Sequence, residues 1–444
     1  MKRLKLMNLA GIWCLAFSAP VFAQPLLHTI APPSPSADGH FGASLAGEGD
    51  TLLVGEPGAY GGVGRVVIFD SSDWSVVGEL VSAAGVAGEG FGGSLAIEGD
   101  IAVVGAPSND DQGNNAGAAY FFRVSTGEQI AKVYAPGGSG LQHFGRTIAI
   151  RDGVALLGAY RDYDTGGAVH FYQADQGLYL ESLTSSGSAQ GGLGASIAID
   201  GMIAYVGAPY SDGWAGSIHM IDLQTRGFVG QILSNDVGDP DDKSPASSMF
   251  FGRSLEARNG VLIVGSGHGS GCNGFFSDAA YFYDTSNNAQ SFIPGWDCYG
   301  GSGIATSSMM SDSITAVAQT WPGVWNGQAH VFSPGSSVIA NTLVAPAAEN
   351  DDLFGDSIIE HNGMMIIGAP RIDSGASDSG EIYAFGLALP CGPADLNTDG
   401  ALDYFDVSRF VNRWGYPETD LNGDLSWDFF DVSTFIDLFN AGCP

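Results

Sequence analysis

The sequence predicts an all-β fold, a seven-bladed β-propeller, followed by a small, partly helical C-terminal module. Three observations predict it. A bulky apolar residue followed by glycine opens a segment of about fifty residues again and again, at Phe41, Phe91, Phe144, Leu193, Phe251 and Phe354. Nearly every copy turns between two apolar runs at a Gly/Asp or Gly/Asn pair, as at Gly99-Asp100 and Asn362-Gly363. After Pro390 the period stops and two acidic twelve-residue loops follow. A fixed period of this size means stacked units, none of which buries its apolar face alone.

The chain opens on Lys2, Arg3 and Lys5, continues through a mostly apolar run from Leu6 to Phe17 and reaches Val21-Phe22-Ala23. This is the pattern of an export signal cut after Ala23, so residues 1–23 are read as a signal peptide and the mature chain as secreted or cell-surface. No other apolar run approaches the ~20 residues of a membrane helix. The formal charge of −32, from 48 acids against 16 bases, excludes nucleic acid as a partner, because phosphate binding needs clustered Lys and Arg. Gly at 66 of 444 residues, with abundant Val and Ile, points to short strands and tight turns.

Residues 24–389 hold the repeats. In the first copy SLAGEG and TLLVGE flank Gly49-Asp50, RVVIFD follows a Gly-rich loop, and VVGELVSA comes last. Asp-Gly and Asn-Gly between apolar runs signal two-residue hairpins with positive φ at both central residues. Each unit is thus four antiparallel strands, one propeller blade. The double gap between Phe251 and Phe354 holds a degenerate copy from Gly303 to Phe332, which makes seven. The last copy stops after three strands at Glu381–Gly386, and Leu26–Ala31 matches the missing fourth. These two segments are expected to pair and close the ring.

The repeats resemble the FG-GAP family, best known from integrin α propellers. Phe91-Gly92 with Gly105-Ala106-Pro107 carries both halves of the name. Gly207-Ala208-Pro209 and Gly368-Ala369-Pro370 repeat the second half, and Gly55-Glu56-Pro57 departs from it by one residue. Many blades of that family hold calcium between their first two strands. This chain has only tight turns there, so blade calcium sites do not carry over.

The second-to-third loops and the loops leading into each blade should share one face. They carry the acids Asp110, Asp111, Asp162, Asp164, Asp373 and Asp378 and the rings of Tyr60, Tyr160, Tyr163, Tyr210, Trp214, Trp321 and Trp325. Either these rings and carboxylates hold a sugar, or the acids make turns and the rings cover blade ends. His170, His219 and His330 share one strand slot with Val67, Tyr120 and Tyr383, so packing rather than chemistry is expected of them. No nucleophile elbow or zinc motif occurs. The fifth copy replaces GAP with Gly265-Ser266-Gly267, the sixth carries TWPGVW there, and an acidic insertion runs from Ser234 to Ser248.

Residues 391–444 form a separate module. In its first loop Asp395, Asn397, Asp399, the Ala401 carbonyl, Asp403 and Asp406 stand where a calcium loop puts its oxygen ligands. In the second, Asp420, Asn422, Asp424, the Ser426 carbonyl, Asp428 and Asp431 do so. Two calcium sites are expected, the second weaker, because Leu425 stands where the first loop has the turn glycine Gly400. Each loop runs into an apolar stripe at helical spacing: Val407, Phe410, Val411 and Trp414, then Val432, Phe435, Ile436 and Phe439. The stripes should pack together about a pseudo-twofold axis.

Duplicated loop-then-helix units with Asp at position twelve resemble a dockerin, and the Gly442-Cys443 ending resembles the GC type. That resemblance implies a cohesin-like partner on a scaffold or surface. Partner choice would fall to Tyr404, Phe405, Phe429 and Phe430, unless those rings fill the module's own core. Four cysteines remain after signal cleavage, and proximity suggests Cys272–Cys298 and Cys391–Cys443 disulfides, with free thiols as the alternative.

The sequence therefore reads as an exported, non-enzymatic recognition or adhesion propeller on a calcium-folded docking module. The alternative is a dockerin-borne polysaccharide-degrading enzyme. Facing carboxylates near the axis with aromatic walls would favour the enzyme, and small apolar residues there the binder.

Overall fold

The second strand of each repeat is an unbroken apolar run because it is covered on both sides. In Thr51–Glu56, Leu53 packs toward the second blade with Ala102 and Val104. Its neighbours Leu52 and Val54 pack the other way, toward the seventh with Ile366 and Ile382. The core is thus a set of interfaces between sheets, and no sheet is stable by itself.

The protein was described from a computed structural model covering residues 24–162, 165–185, 191–233, 250–268, 277–286, 290–294, 303–311, 314–320, 327–332, 339–346, 352–387, 407, 410–411 and 431–436. Seven four-stranded antiparallel sheets occupy 44–80, 94–133, 148–184, 196–233, 254–294, 303–343 and 357–386, the last with 26–30 added. We number them blades 1 to 7. The first strands touch in a closed cycle that ends with Ser357–His361 against Ser44–Glu48. The degenerate sixth copy is a full blade. No helix among the described residues is long and apolar enough to cross a membrane.

The strand Leu26–Ile30 lies outermost in blade 7, antiparallel to Glu381–Gly386, with Leu26 opposite Phe385 and Ile30 opposite Ile382. The ring is closed as expected, though by different means than apolar burial. Four of the five residues are exposed, so backbone pairing holds the strand, helped by a 2.6 Å bond from Asn341 Nδ2 to Gln24 Oε1.

The hairpin turns differ from expectation in one respect. Asp152-Gly153, Asn259-Gly260 and Asn362-Gly363 have positive φ at both residues. In Gly49-Asp50 and Gly99-Asp100 only the glycine does. The residue order decides this, because Asp in second place can keep an ordinary φ once Gly has supplied the reversal.

The two halves of the repeat name are bonded to each other. The glycine after each leading Phe donates its amide to the carbonyl of the glycine that stands at the GAP position of the same blade, as Gly92 does to Gly105 at 3.1 Å. Its carbonyl accepts from a hydroxyl of the preceding blade: Ser44 Oγ to Gly92 at 2.6 Å, Thr147 Oγ1 to Gly194 at 2.7 Å. That close approach leaves no room for a side chain. A Cβ on Gly368 would land on the Gly42 carbonyl.

Candidate ligand-binding face

The face is assembled by short parallel bridges. Gly117, Gly167, Gly216 and Gly380, each just before a third strand, pair with Phe144, Leu193, Phe251 and Phe41 at the mouth of the next blade. Second-to-third loops and leading loops therefore lie side by side, as the sequence predicts.

Their acids mainly shape their own loops. Asp110 accepts from the Asn115 amide at 2.7 Å, and Asp373 from the Asp378 amide at 2.9 Å in the same geometry. Asp111 takes Lys132 Nζ at 2.6 Å and Tyr134 Oη at 2.8 Å, which holds its carboxyl below the usual range. Asp162 is buried. Asp164, Tyr163, Trp321 and Trp325 lie outside the described residues. The reading of these acids as turn-makers is the one the geometry supports.

Several of the rings form one run across blades. Tyr160 of blade 3 lies 6.4 Å from Tyr210 of blade 4, measured between ring centroids. Tyr210 meets Trp214 edge-on at 5.4 Å, and both meet Phe250, at 5.9 and 5.7 Å. Trp214 is 46 % exposed, whereas Tyr160, Tyr210 and Phe250 are half-buried. His143 completes one end, 5.8 Å from Tyr160. Burial raises the Tyr210 pKa, with Tyr160 adding to it. Tyr60 is exposed but separate, donating to Glu79 at 2.9 Å under the Arg65 guanidinium.

At the axis, a cavity of about 240 Å³ is lined by Gly47, Glu256, Arg258, Ser308, Met309, Met310, Ile358, Ile359 and Glu360, all from first strands. Burial pushes Glu256 up to about 8, against the pull of Arg258. Arg258 also pairs with Glu360 at 3.7 Å. Two carboxylates, Arg258 and Ser308 share the lining with aliphatic and thioether side chains, and no aromatic ring stands there as the platform a sugar-cleaving site would need, so the cavity meets only one of the two conditions set for the enzyme reading.

The histidine slot is a packing slot. His170 and His330 are buried, and each Nδ1 meets a hydroxyl on the neighbouring strand, Ser182 at 2.6 Å and Thr342 at 3.0 Å. Burial lowers both to about 4, which keeps them neutral. His219 is half-buried beside Phe228.

Of the C-terminal ligand set only Asp431 falls among the described residues, fully buried at the start of a helix over 431–436. Asp395, Asn397, Asp399, Ala401, Asp403, Asp406, Asp420, Asn422, Asp424, Ser426 and Asp428 lie outside them, as do Tyr404, Phe405, Phe429 and Phe430, the four cysteines Cys272, Cys298, Cys391 and Cys443, and residues 1–23. The described propeller residues hold no cluster of three or more metal-ligating side chains. The two stripes do meet: Phe410 and Phe435, twenty-five residues apart like the two loops, stack at 4.3 Å with 15° between planes. The stripes are narrower than expected, because Val411 and Ile436 are exposed.

Comparison with known proteins agrees with the geometry. The FG-GAP repeat family matches residues 74–122 and 128–172, each match running from a fourth strand through the third strand of the next blade. No curated protein matches the chain. Among solved structures, Kuenenia stuttgartiensis hydrazine synthase is similar in fold (TM-score 0.56, 11% identity, 81% of this chain and 98% of that one). So is the Cps50 (Swd1) β-propeller domain of Myceliophteria thermophila (TM-score 0.51, 12% identity, 81% and 99%). At such identities the likeness concerns the fold alone. Residues 74–122 and 128–172 thus match FG-GAP repeats within a fold that is a seven-bladed β-propeller.

Proposed function

We propose that this is an exported recognition or adhesion protein whose propeller face binds a glycan or protein and whose C-terminal module tethers it. The observation that carries the reading is the run of rings from Tyr160 to Trp214 and Phe250. It crosses from blade 3 to the mouth of blade 5 on the loop face and leaves an indole open to solvent. Rings of this kind offer apolar area at little entropic cost, and FG-GAP repeats fit such a role.

Residues 391–444 are read as a dockerin-like module. Buried Asp431 at a helix start and the Phe410–Phe435 stack at the loop spacing both support that reading. Calcium would be held by Asp395, Asn397, Asp399, Ala401, Asp403 and Asp406, and more weakly by the second set ending at Asp431. Bound calcium would supply cross-links that a core of this size lacks. The module would then engage a cohesin-like scaffold or surface protein.

The test is a glycan and protein array probed with the full mature chain and with Trp214→Ala. Binding that falls with the variant supports the reading. Binding that ignores Trp214 removes the face from it.

A further inference from the structure

Bases are scarce in this chain, sixteen in all, and the described ion pairs use several of them far from the aromatic face: Arg65 with Glu56, Arg123 with Asp100, Arg226 with Glu181, Arg258 with Glu360. Three exposed arginines do the opposite. Arg146 and Arg253 occupy one repeat position, directly after the leading Phe-Gly of blades 3 and 5, and Arg161 follows Tyr160. Among the described residues none of the three has a carboxylate within ion-pair distance. Instead they gather around the rings. The Arg161 guanidinium lies 5.4 Å and that of Arg146 5.9 Å from the Tyr160 centroid. All three arginines act electrostatically on Tyr210, and Arg161 and Arg146 on His143. In a molecule of net charge −32, three like charges share one surface here with no described carboxylate in ion-pair contact with them.

Such an arrangement is costly unless an anion answers it. Guanidinium groups form bidentate bonds to planar carboxylates, and rings stack on the C–H faces of pyranoses. We propose that Arg146, Arg161 and Arg253, with Tyr210 and Trp214, form a binding site for an acidic polysaccharide of the uronate type. The carboxylates would sit on the guanidinium groups and the sugar faces on the rings. Asp356 occupies the corresponding repeat position in blade 7 and lies within electrostatic reach of Arg146. It marks the far limit of the basic patch and would repel a polyanion there. The inference rests on the recognition reading above and adds the ligand's chemistry.

The experiment titrates the mature chain with polygalacturonate, its methyl ester, dextran sulfate and poly-glutamate at matched length, by calorimetry at two salt concentrations. Polygalacturonate should bind best, and its methyl ester should bind about tenfold or more weakly. Arg146→Gln with Arg253→Gln should weaken the acid form about tenfold and flatten the salt dependence, while Arg123→Gln, elsewhere on the surface, changes nothing. Trp214→Ala should weaken polygalacturonate but not poly-glutamate. Poly-glutamate binding equally well with no effect of Trp214→Ala would overturn the sugar, and dextran sulfate binding best would overturn the carboxylate. If the acid and ester forms bind alike and the arginine variants are silent while Trp214→Ala still abolishes array binding, the recognition reading stands and this inference falls. If no array ligand binds, both fall.

Discussion

Ser357 Oγ donates to the Gly42 carbonyl at 2.7 Å across 315 residues of chain. It is the last of a series: Ser44 to Gly92, Ser94 to Gly145, Thr147 to Gly194, Ser196 to Gly252 and Ser307 to Gly355 make the same bond from one blade to the next. The repeat is therefore a clamp between neighbours, and the clamp from blade 7 returns to the first blade.

Breaking the clamp should have two graded effects. Ser357→Ala removes one hydroxyl and should cost about 1 kcal/mol. Gly368→Ala drives a methyl group into the Gly42 carbonyl and should cost about 3 kcal/mol or more. Urea denaturation of the two variants checks the order. Equal, small effects would show that the ring gives way easily at this point.

Glu56 and Arg65 stand opposite each other where blades 2 and 3 pair Ala106 with Ala118 and Ala159 with Ala168. Both are buried and meet at 2.6 Å. Burial raises the Glu56 pKa against the guanidinium. Arg65→Ala alone should cost about 3–5 kcal/mol by leaving a buried carboxylate unanswered. Glu56→Ala with Arg65→Ala should recover most of that loss, because blades 2 and 3 already use the alanine pair. A double-mutant cycle measures it.

His170 and His330 should make stability depend on mild acid. Each folded pKa lies near 4 against 6.5 in an exposed imidazole, so the unfolded chain binds the proton more readily. Their contribution is complete above about pH 6.5 and is lost as pH falls toward 4, by up to about 3 kcal/mol each. Glu256, pushed up to about 8, and Asp356, to about 6, act with the opposite sign over part of this window. The quantity to measure is therefore the difference between the protein and His330→Val, whose replacement is what blade 1 carries in that slot as Val67. That difference should shrink from pH 7 to pH 4.5.

Much of this architecture was legible in the sequence because a ring of like blades repeats its own pattern. Phe91, Gly92, Gly105 and the hairpin pairs each mark a fixed place in a blade, and the missing fourth strand after Glu381 pointed to Leu26. The basic face was not legible in the same way. Arg146, Arg161 and Arg253 are spread over 107 residues, from blade 3 to blade 5, and only the curvature of the ring brings them to Tyr160 and Tyr210. The one available signal was arginine recurring directly after Phe-Gly in a chain otherwise short of bases. The Glu56–Arg65 pair was hidden too, since antiparallel register has to be known before the two positions face each other.

The C-terminal module should depend on calcium. EGTA with reductant is expected to unfold residues 391–444 while the propeller stays folded, and Phe410→Ala should weaken calcium binding by removing the Phe435 stack. Calorimetry should find two sites of unequal affinity in the full chain. A protein indifferent to calcium would remove the tethering role.

The recognition face exists only if the ring is closed by the strand Leu26–Ile30, and native-state hydrogen exchange reads that closure directly. The amides of Leu26–Ile30 that pair with Glu381–Gly386 should exchange as slowly as those of blade fourth strands such as Glu128–Val133. Exchange at the rate of an unstructured peptide, with the rest of the propeller protected, would contradict the account.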